Sequence, residues 1–196
     1  ALTVSDRGRF FDLVFTRDAA GNLTKAHALA ADIPRTKRDT EGMAVGPDGI
    51  YLSHEGPAIV RKLGGKVLPW HPAFIKLPRN RALEALAVDA RGWLYTLPEH
   101  RGAHGAPFPL FIFDNRQWRL GPSIPKRNGF VPVGADFGPD GLFYLLERRF
   151  SAFGFRSQVR RFDLDAKDLQ EEVLLSTGLL EHDNLEGLSV WTDDSG

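Results

Sequence analysis

At 196 residues, with 42% hydrophobic residues including 14 Phe and 4 Trp, the chain carries ample material for a buried core, which excludes a disordered chain. Lys plus Arg and Asp plus Glu each number 25, so no net charge marks a binder of nucleic acid or of an anionic membrane. Cysteine is absent, which excludes disulfides and thiolate metal sites, and no apolar run approaches the ~20 residues of a membrane-spanning helix.

The chain opens on Ala1-Leu-Thr-Val, as if inside a strand, so any targeting segment is expected to lie outside it. Leu2-Thr-Val-Ser-Asp-Arg7, followed by a strand over 10–15, reads as a partial hairpin. The first full hairpin is Glu41-Gly-Met-Ala-Val-Gly-Pro-Asp-Gly-Ile-Tyr-Leu-Ser-His-Glu55. The second is Glu84-Ala-Leu-Ala-Val-Asp-Ala-Arg-Gly-Trp-Leu-Tyr-Thr-Leu-Pro-Glu99. A third joins strands at 134–137 and 142–146 through Gly-Pro-Asp-Gly at 138–141, the turn already met at 46–49. Helical periodicity is scarce; residues 164–175 read either as a turn or two of helix or as a strand entered from a loop. A fourth copy opens at Asn184-Leu-Glu-Gly-Leu-Ser-Val-Trp191.

The matching glycines 49, 92 and 141 lie 43 and 49 residues apart, a period that suits a four-stranded propeller blade. Outer strands are expected at 59–63, 110–113 and 159–164. The fold expected is all-β: a single partial β-propeller domain over 1–196, of about four blades, its ring incomplete in this chain and part of a whole of about five to seven. The rival is a sandwich built from unrelated hairpins.

Each full hairpin begins and ends on glutamate. If the strands pair symmetrically about their turns, Glu41 faces Glu55 and Glu84 faces Glu99, and like charges directly opposite are unfavourable. In a propeller, Glu41, Glu84 and Glu186 start innermost strands while Glu55, Glu99 and Glu147 end second strands. All six then gather at one mouth of the central channel, with Asp6 beside them. The bland alternative is that strand ends carry acids because ends are solvated. The third hairpin has Val133 where the others have glutamate, and its Asp136 sits inside an apolar strand, so it must be channel-facing, hydrogen-bonded or cation-bound. Clustered carboxylates suit a hard cation, above all Ca2+, with Glu41, Glu84, Glu147, Glu186, Asp6 and Asp136 as ligands. Zinc is disfavoured, because no histidine pair has ligand spacing.

His54 and His100 adjoin the ring and either ligate, act as a base or lie on the rim. Arg7 and Arg148 either hold an anionic substrate group or pair with the acids. Asn22-Leu-Thr24 matches a glycosylation sequon with meaning only in a eukaryotic secretory protein. The basic stretch Pro34-Arg-Thr-Lys-Arg38 reads as a solvated loop. Residues 100–109 form a long connection on the acidic face and a candidate lid.

Taken together, Ser5-Asp-Arg-Gly8, Glu41-Gly-Met-Ala44 with Gly46-Pro-Asp-Gly49, Ser53-His-Glu-Gly56, Leu146-Glu-Arg148 and Asn184-Leu-Glu-Gly-Leu-Ser189 resemble the family named for esterase-like activity of phytase. The resemblance spans the whole chain. It implies a propeller, commonly exported to the periplasm or beyond, with a phosphoesterase or esterase role. No Gly-x-Ser-x-Gly elbow and no Ser-His-Asp set is present, so Ser5, Ser53 and Ser189 read as strand-end hydroxyls.

Three functions follow. The first is a Ca2+-dependent hydrolase of phosphate or carboxylic esters, with Glu55 or Glu99 as general base and Arg7, Arg148, His54 and His100 around a small anionic substrate. The second is a non-catalytic propeller that binds a ligand or protein and uses Ca2+ structurally; the third is a scaffold without metal.

Overall fold

The computed structural model describes residues 1–79, 83–99 and 105–192. Its regular secondary structure is almost all strand, arranged as four antiparallel sheets in chain order. The first holds β1 (Leu2–Val4), β2 (Phe10–Arg17) and β3 (Leu23–Ala30). The second holds β4 (Thr40–Gly46), β5 (Gly49–His54) and β6 (Ile59–Lys62), followed by a 3-10 turn at Pro72–Lys76. The third holds β7 (Leu83–Val88), β8 (Leu94–Pro98), β9 (Phe111–Phe113) and β10 (Trp118–Leu120). The fourth holds β11 (Val131–Phe137), β12 (Phe143–Ser151), β13 (Gly154–Asp163) and β14 (Gln170–Ser176).

The strand order is that of propeller blades, each a meander running outward. Residues 170–176 form a strand, so the helical option for 164–175 is set aside. Two sheets fall short of four strands. In the second, an isolated Arg61–Val67 bridge stands where a fourth strand would pair, and in the first β1 is an edge strand.

The innermost strands β4, β7 and β11 lie side by side, and small residues let them approach. A Cβ on Gly42 would stand 2.6 Å from the Glu84 carbonyl oxygen. The segment after Asn184 repeats this packing: a Cβ on Gly134 would stand 3.0 Å from the Glu186 carbonyl oxygen. Residues 186–189 therefore lie along β11 as β7 lies along β4. Beyond them, Trp191 stacks on Phe15 of the first sheet at 5.7 Å.

Two apolar cores lie between neighbouring sheets. One joins the second and third through Phe74, Leu86, Phe111 and Trp118; the other joins the third and fourth through Leu97, Phe108, Val133 and Phe143. The first sheet contributes little to either, and every residue of β3 is exposed.

At the hairpin turns a charged latch recurs. Tyr51 donates to Asp48 at 2.7 Å, Tyr95 to Asp89 at 3.0 Å and Tyr144 to Asp140 at 2.8 Å. These are all three tyrosines of the chain. A cation completes each latch: Lys62 on Asp48, Arg91 on Asp89 and Arg161 on Asp140.

Candidate functional site

The opposite end of the same ladders is built differently. In the second sheet Thr40 pairs with His54 and Gly42 with Ser53, which leaves Glu41 unpaired in a β-bulge. In the third, Leu83 pairs with Pro98 and Ala85 with Leu97, leaving Glu84. In the fourth, Pro132 pairs with Glu147 and Gly134 with Leu146, leaving Val133. A bulge adds one residue to one strand and re-aims its side chain. The expectation that Glu41 faces Glu55, and Glu84 faces Glu99, across the ladder is therefore corrected: the first member of each pair belongs to no ladder position.

The same register changes which residue of the fourth sheet belongs to the mouth. Glu55 and Glu99 lie one position beyond the residues paired across each bulge, His54 and Pro98. In the fourth sheet that position is Arg148, and Glu147 takes the inward position of His54 and Pro98. Glu147 is fully buried, accepting from Arg160 at 2.6 and 2.7 Å and from Gln158 at 2.7 Å. With both carboxylate oxygens engaged, it does not serve the ring as a ligand. His54 is likewise fully buried, not on the rim, with Nδ1 2.9 Å from the Asp39 carbonyl. Burial holds its imidazole below the ordinary range.

Asp136 is hydrogen-bonded, one of the three options its position allowed. It accepts from the Phe137 N–H at 2.9 Å and the Val190 N–H at 2.8 Å, and so fastens the chain after Glu186 to β11. Each oxygen thus accepts one backbone N–H, and Asp136 is not among the residues that line the central cavity. Arg7 does not line the central cavity; its backbone N–H donates to Asp6 and its carbonyl accepts from Arg35. His100 and residues 101–104 of the candidate lid lie outside the described residues. Of the same connection, Phe108 is fully buried and part of the core.

The remaining acids do converge. A central cavity of about 420 Å3 is lined by β1, β4, β7, β11 and residues 186–189, with Asp6, Glu41, Glu84 and Glu186 in its wall. Burial, then the carboxylates of Glu55, Asp39, Glu186 and Asp6, push Glu41 up to about 7. Burial, then Glu41 and Glu99, push Glu84 up to about 8 against the pull of Arg148. Glu55 is raised by burial, Asp39 and Glu99. Glu186 also lines an adjoining cleft with Glu99, Arg148, Asn184, Phe150 and Phe155.

Among the described residues, Arg148 is the cation that meets these acids. Its guanidinium donates to Glu186 at 2.5 Å, to Asn184 at 2.6 Å and to Glu99 at 3.3 Å. This is the arginine–carboxylate pairing weighed from the sequence. Asp39 and Asn184 enter the site without having been singled out; Asn184 sits in the quoted Asn-Leu-Glu-Gly motif, and Asp39 directly precedes the first inner strand. Among the described residues, no three His, Asp or Glu side chains stand close enough to ligate one ion as arranged. No helix among the described residues is long and apolar enough to cross a membrane.

Comparison with curated protein sequences finds none that matches. Among solved structures, one described as "YCF48 bound to D1 peptide" is similar at 12% identity with a TM-score of 0.33, covering 89% of this chain. The match takes in 66% of that protein, so the chain spans just under two thirds of its length. The family model for phytase-like proteins, described as "Esterase-like activity of phytase", matches residues 1–196. With the repeated blades, the bulged inner strands and a match over its whole length, the chain belongs to the phytase-like family.

Proposed function

We propose that the acidic mouth of this phytase-like propeller is a Ca2+-dependent site for hydrolysis of phosphate or carboxylic esters. The observation that carries the reading is the crowding of Glu41 and Glu84 at neighbouring bulges, where each is pushed far above the ordinary carboxylate range. A protein retains such a pair at a cost, and a hard divalent cation relieves it. The donors are all oxygen and, among the described residues, the mouth has a surplus of acid over Arg148, so the fit is one of donor chemistry and charge. Glu41, Glu84, Asp6 and Glu186 are the residues to hold the ion. When bound, it supplies charge neutralisation and polarisation of the ester.

The chain's own groups do the rest. Glu55, raised by burial and its acidic neighbours, is the proposed base for the attacking water, and it returns the proton to the leaving oxygen. Glu99 holds Arg148 from one side, which makes it a positioning residue in preference to a base. Arg148, which lines the adjoining cleft, binds the anionic group of the substrate. Export to the periplasm or the exterior, where calcium is plentiful, belongs to the same proposal.

Turnover of p-nitrophenyl phosphate and p-nitrophenyl acetate with calcium tests it. Glu55→Gln is expected to lose about 10²–10⁴ in kcat, and Glu99→Gln less, with a larger effect on KM. Absent turnover, or turnover that survives Glu55→Gln, defeats the catalytic reading. The second reading, a ligand- or protein-binding propeller with structural Ca2+, is favoured by the pairing of Arg148 with both Glu99 and Glu186, which serves stability without chemistry. A calcium-induced stabilisation without turnover selects it.

A further inference from the structure

The basic stretch at 34–38 is one wall of a second cleft, of about 440 Å3, that shares no lining residue with the central cavity. Its backbone is pinned. The Thr36 N–H donates to the Gly8 carbonyl at 3.0 Å, Arg35 Nε to the Arg7 carbonyl at 2.8 Å and the Thr40 N–H to the Asp6 carbonyl at 2.9 Å. Gly8 has φ +70, and a Cβ there would stand 1.9 Å from Thr36 Oγ1, so the loop and the 5–8 turn are fitted to each other.

The facing wall is the second sheet. Leu52 and His54 point to one side of β5, and Arg61 of β6 pairs with Leu52. Arg35, Lys37, Arg38 and Arg61 thus line one cleft, and among the described residues none of the four forms an ion pair. His54 also lines this cleft, fully buried. A carbonyl only accepts, so the hydrogen on the ring sits on Nδ1, facing Asp39. Nε2 of the neutral ring is then a lone pair, buried and, among the described residues, without a partner. A buried acceptor left unmatched is costly, so such an atom points to a donor that the protein does not itself supply.

Four cations around one unmatched acceptor describe a ligand that is anionic and still carries a hydrogen. We propose that this cleft binds inorganic hydrogen phosphate, its charged oxygens meeting Arg35, Lys37, Arg38 and Arg61 and its P–OH donating to His54 Nε2. Sulfate has the same shape but no hydrogen to give. A phosphate monoester, with a second pKa near 6, has lost its own by neutral pH.

Calorimetric titration of the intact chain in EDTA, at about pH 7.5 and constant ionic strength, compares inorganic phosphate, glycerol phosphate and sulfate. Neither calcium nor ester hydrolysis enters, so the outcome is independent of the function proposed for the mouth. Phosphate is expected to bind at least about tenfold more tightly than either other anion. His54→Phe, which keeps the cationic wall, should bring phosphate down to the level of sulfate. Lys37→Gln with Arg38→Gln, two exposed loop positions that leave folding intact, should weaken phosphate about tenfold. Equal binding of sulfate or glycerol phosphate, absence of phosphate binding, or binding that survives the loop substitutions overturns the proposal.

Discussion

At the turn end of the second, third and fourth sheets, each aspartate meets a tyrosine hydroxyl and a lysine or arginine; at the other end of the same strands, Glu41 and Glu84 meet mainly other carboxylates. Asp48 is drawn below the ordinary range by its bond from Tyr51, while Glu41 and Glu84 are pushed up to about 7 and 8. The repeat unit is one and the same, so strand-end solvation does not account for the difference. Charge is neutralised within each blade at the turns. At the mouth it is left to accumulate between blades, where among the described residues Arg148 alone answers it. That surplus is what the proposed cation would neutralise.

The largest effect should come where charge is paired and dry. Glu147→Ala leaves the buried Arg160 with Glu171 and the Pro125 carbonyl as its remaining partners and is expected to cost about 3 kcal/mol in denaturant unfolding, whereas Glu186→Gln, at the exposed end of its pair with Arg148, should cost at most about 1 kcal/mol. Next is the turn latch. Asp89 accepts from Arg91, Tyr95 and two backbone N–H groups, so Asp89→Ala should cost about 2–3 kcal/mol. Gly42→Ala, which presses a methyl on the Glu84 carbonyl, should cost about 1–3 kcal/mol and disturb the mouth from behind.

The mouth itself should respond with the opposite sign. Glu84→Gln removes a repelled charge and, without calcium, should raise the melting temperature by a few degrees at about pH 8.5. The pH dependence follows the same logic. Glu41 and Glu84 have folded-state values raised from 4.5 to about 7 and about 8. The folded state thus binds these protons more tightly than the unfolded chain. Their contribution to stability is fully present below about pH 4.5 and is lost as pH rises through about 7 and 8. In EDTA the melting temperature should therefore fall across that window, and Glu41→Gln with Glu84→Gln should flatten the fall. Asp48 shifts the other way, so the turn end should not contribute to it.

Much of the fold was legible because its signals are local. Pro-Asp-Gly turns, small-then-aromatic strand pairs and the 43- and 49-residue spacing mark three blades directly. Of the mouth, Glu41, Glu84, Glu55, Glu99 and Glu186 were placed by counting from turns. The bulge was not legible, because Glu41, Glu84 and Val133 have no composition in common that would announce an unpaired residue. One uncounted residue exchanges the two sides of a strand. An uncounted residue in the turn does this to Glu147: Val45 pairs with Ile50 but Phe137 pairs with Phe143, so counting from the turn sets Glu147 beside Glu55, while the ladder buries it against Arg160 and gives the ring position to Arg148. The tyrosine latches escaped notice for a related reason: Asp48 and Tyr51, three apart, and Asp89 and Tyr95, six apart, share no sequence spacing although they share a place in the ladder.

The central claim is that the mouth accumulates acid in order to hold a cation, and the measurement that bears on it most directly is the melting temperature with and without calcium at about pH 5.5 and about pH 8.5. Because the ion must displace protons from Glu41 and Glu84, calcium should stabilise the chain more at the higher pH, and Glu41→Gln with Glu84→Gln should abolish the shift. A melting temperature indifferent to calcium at both pH values would contradict the account.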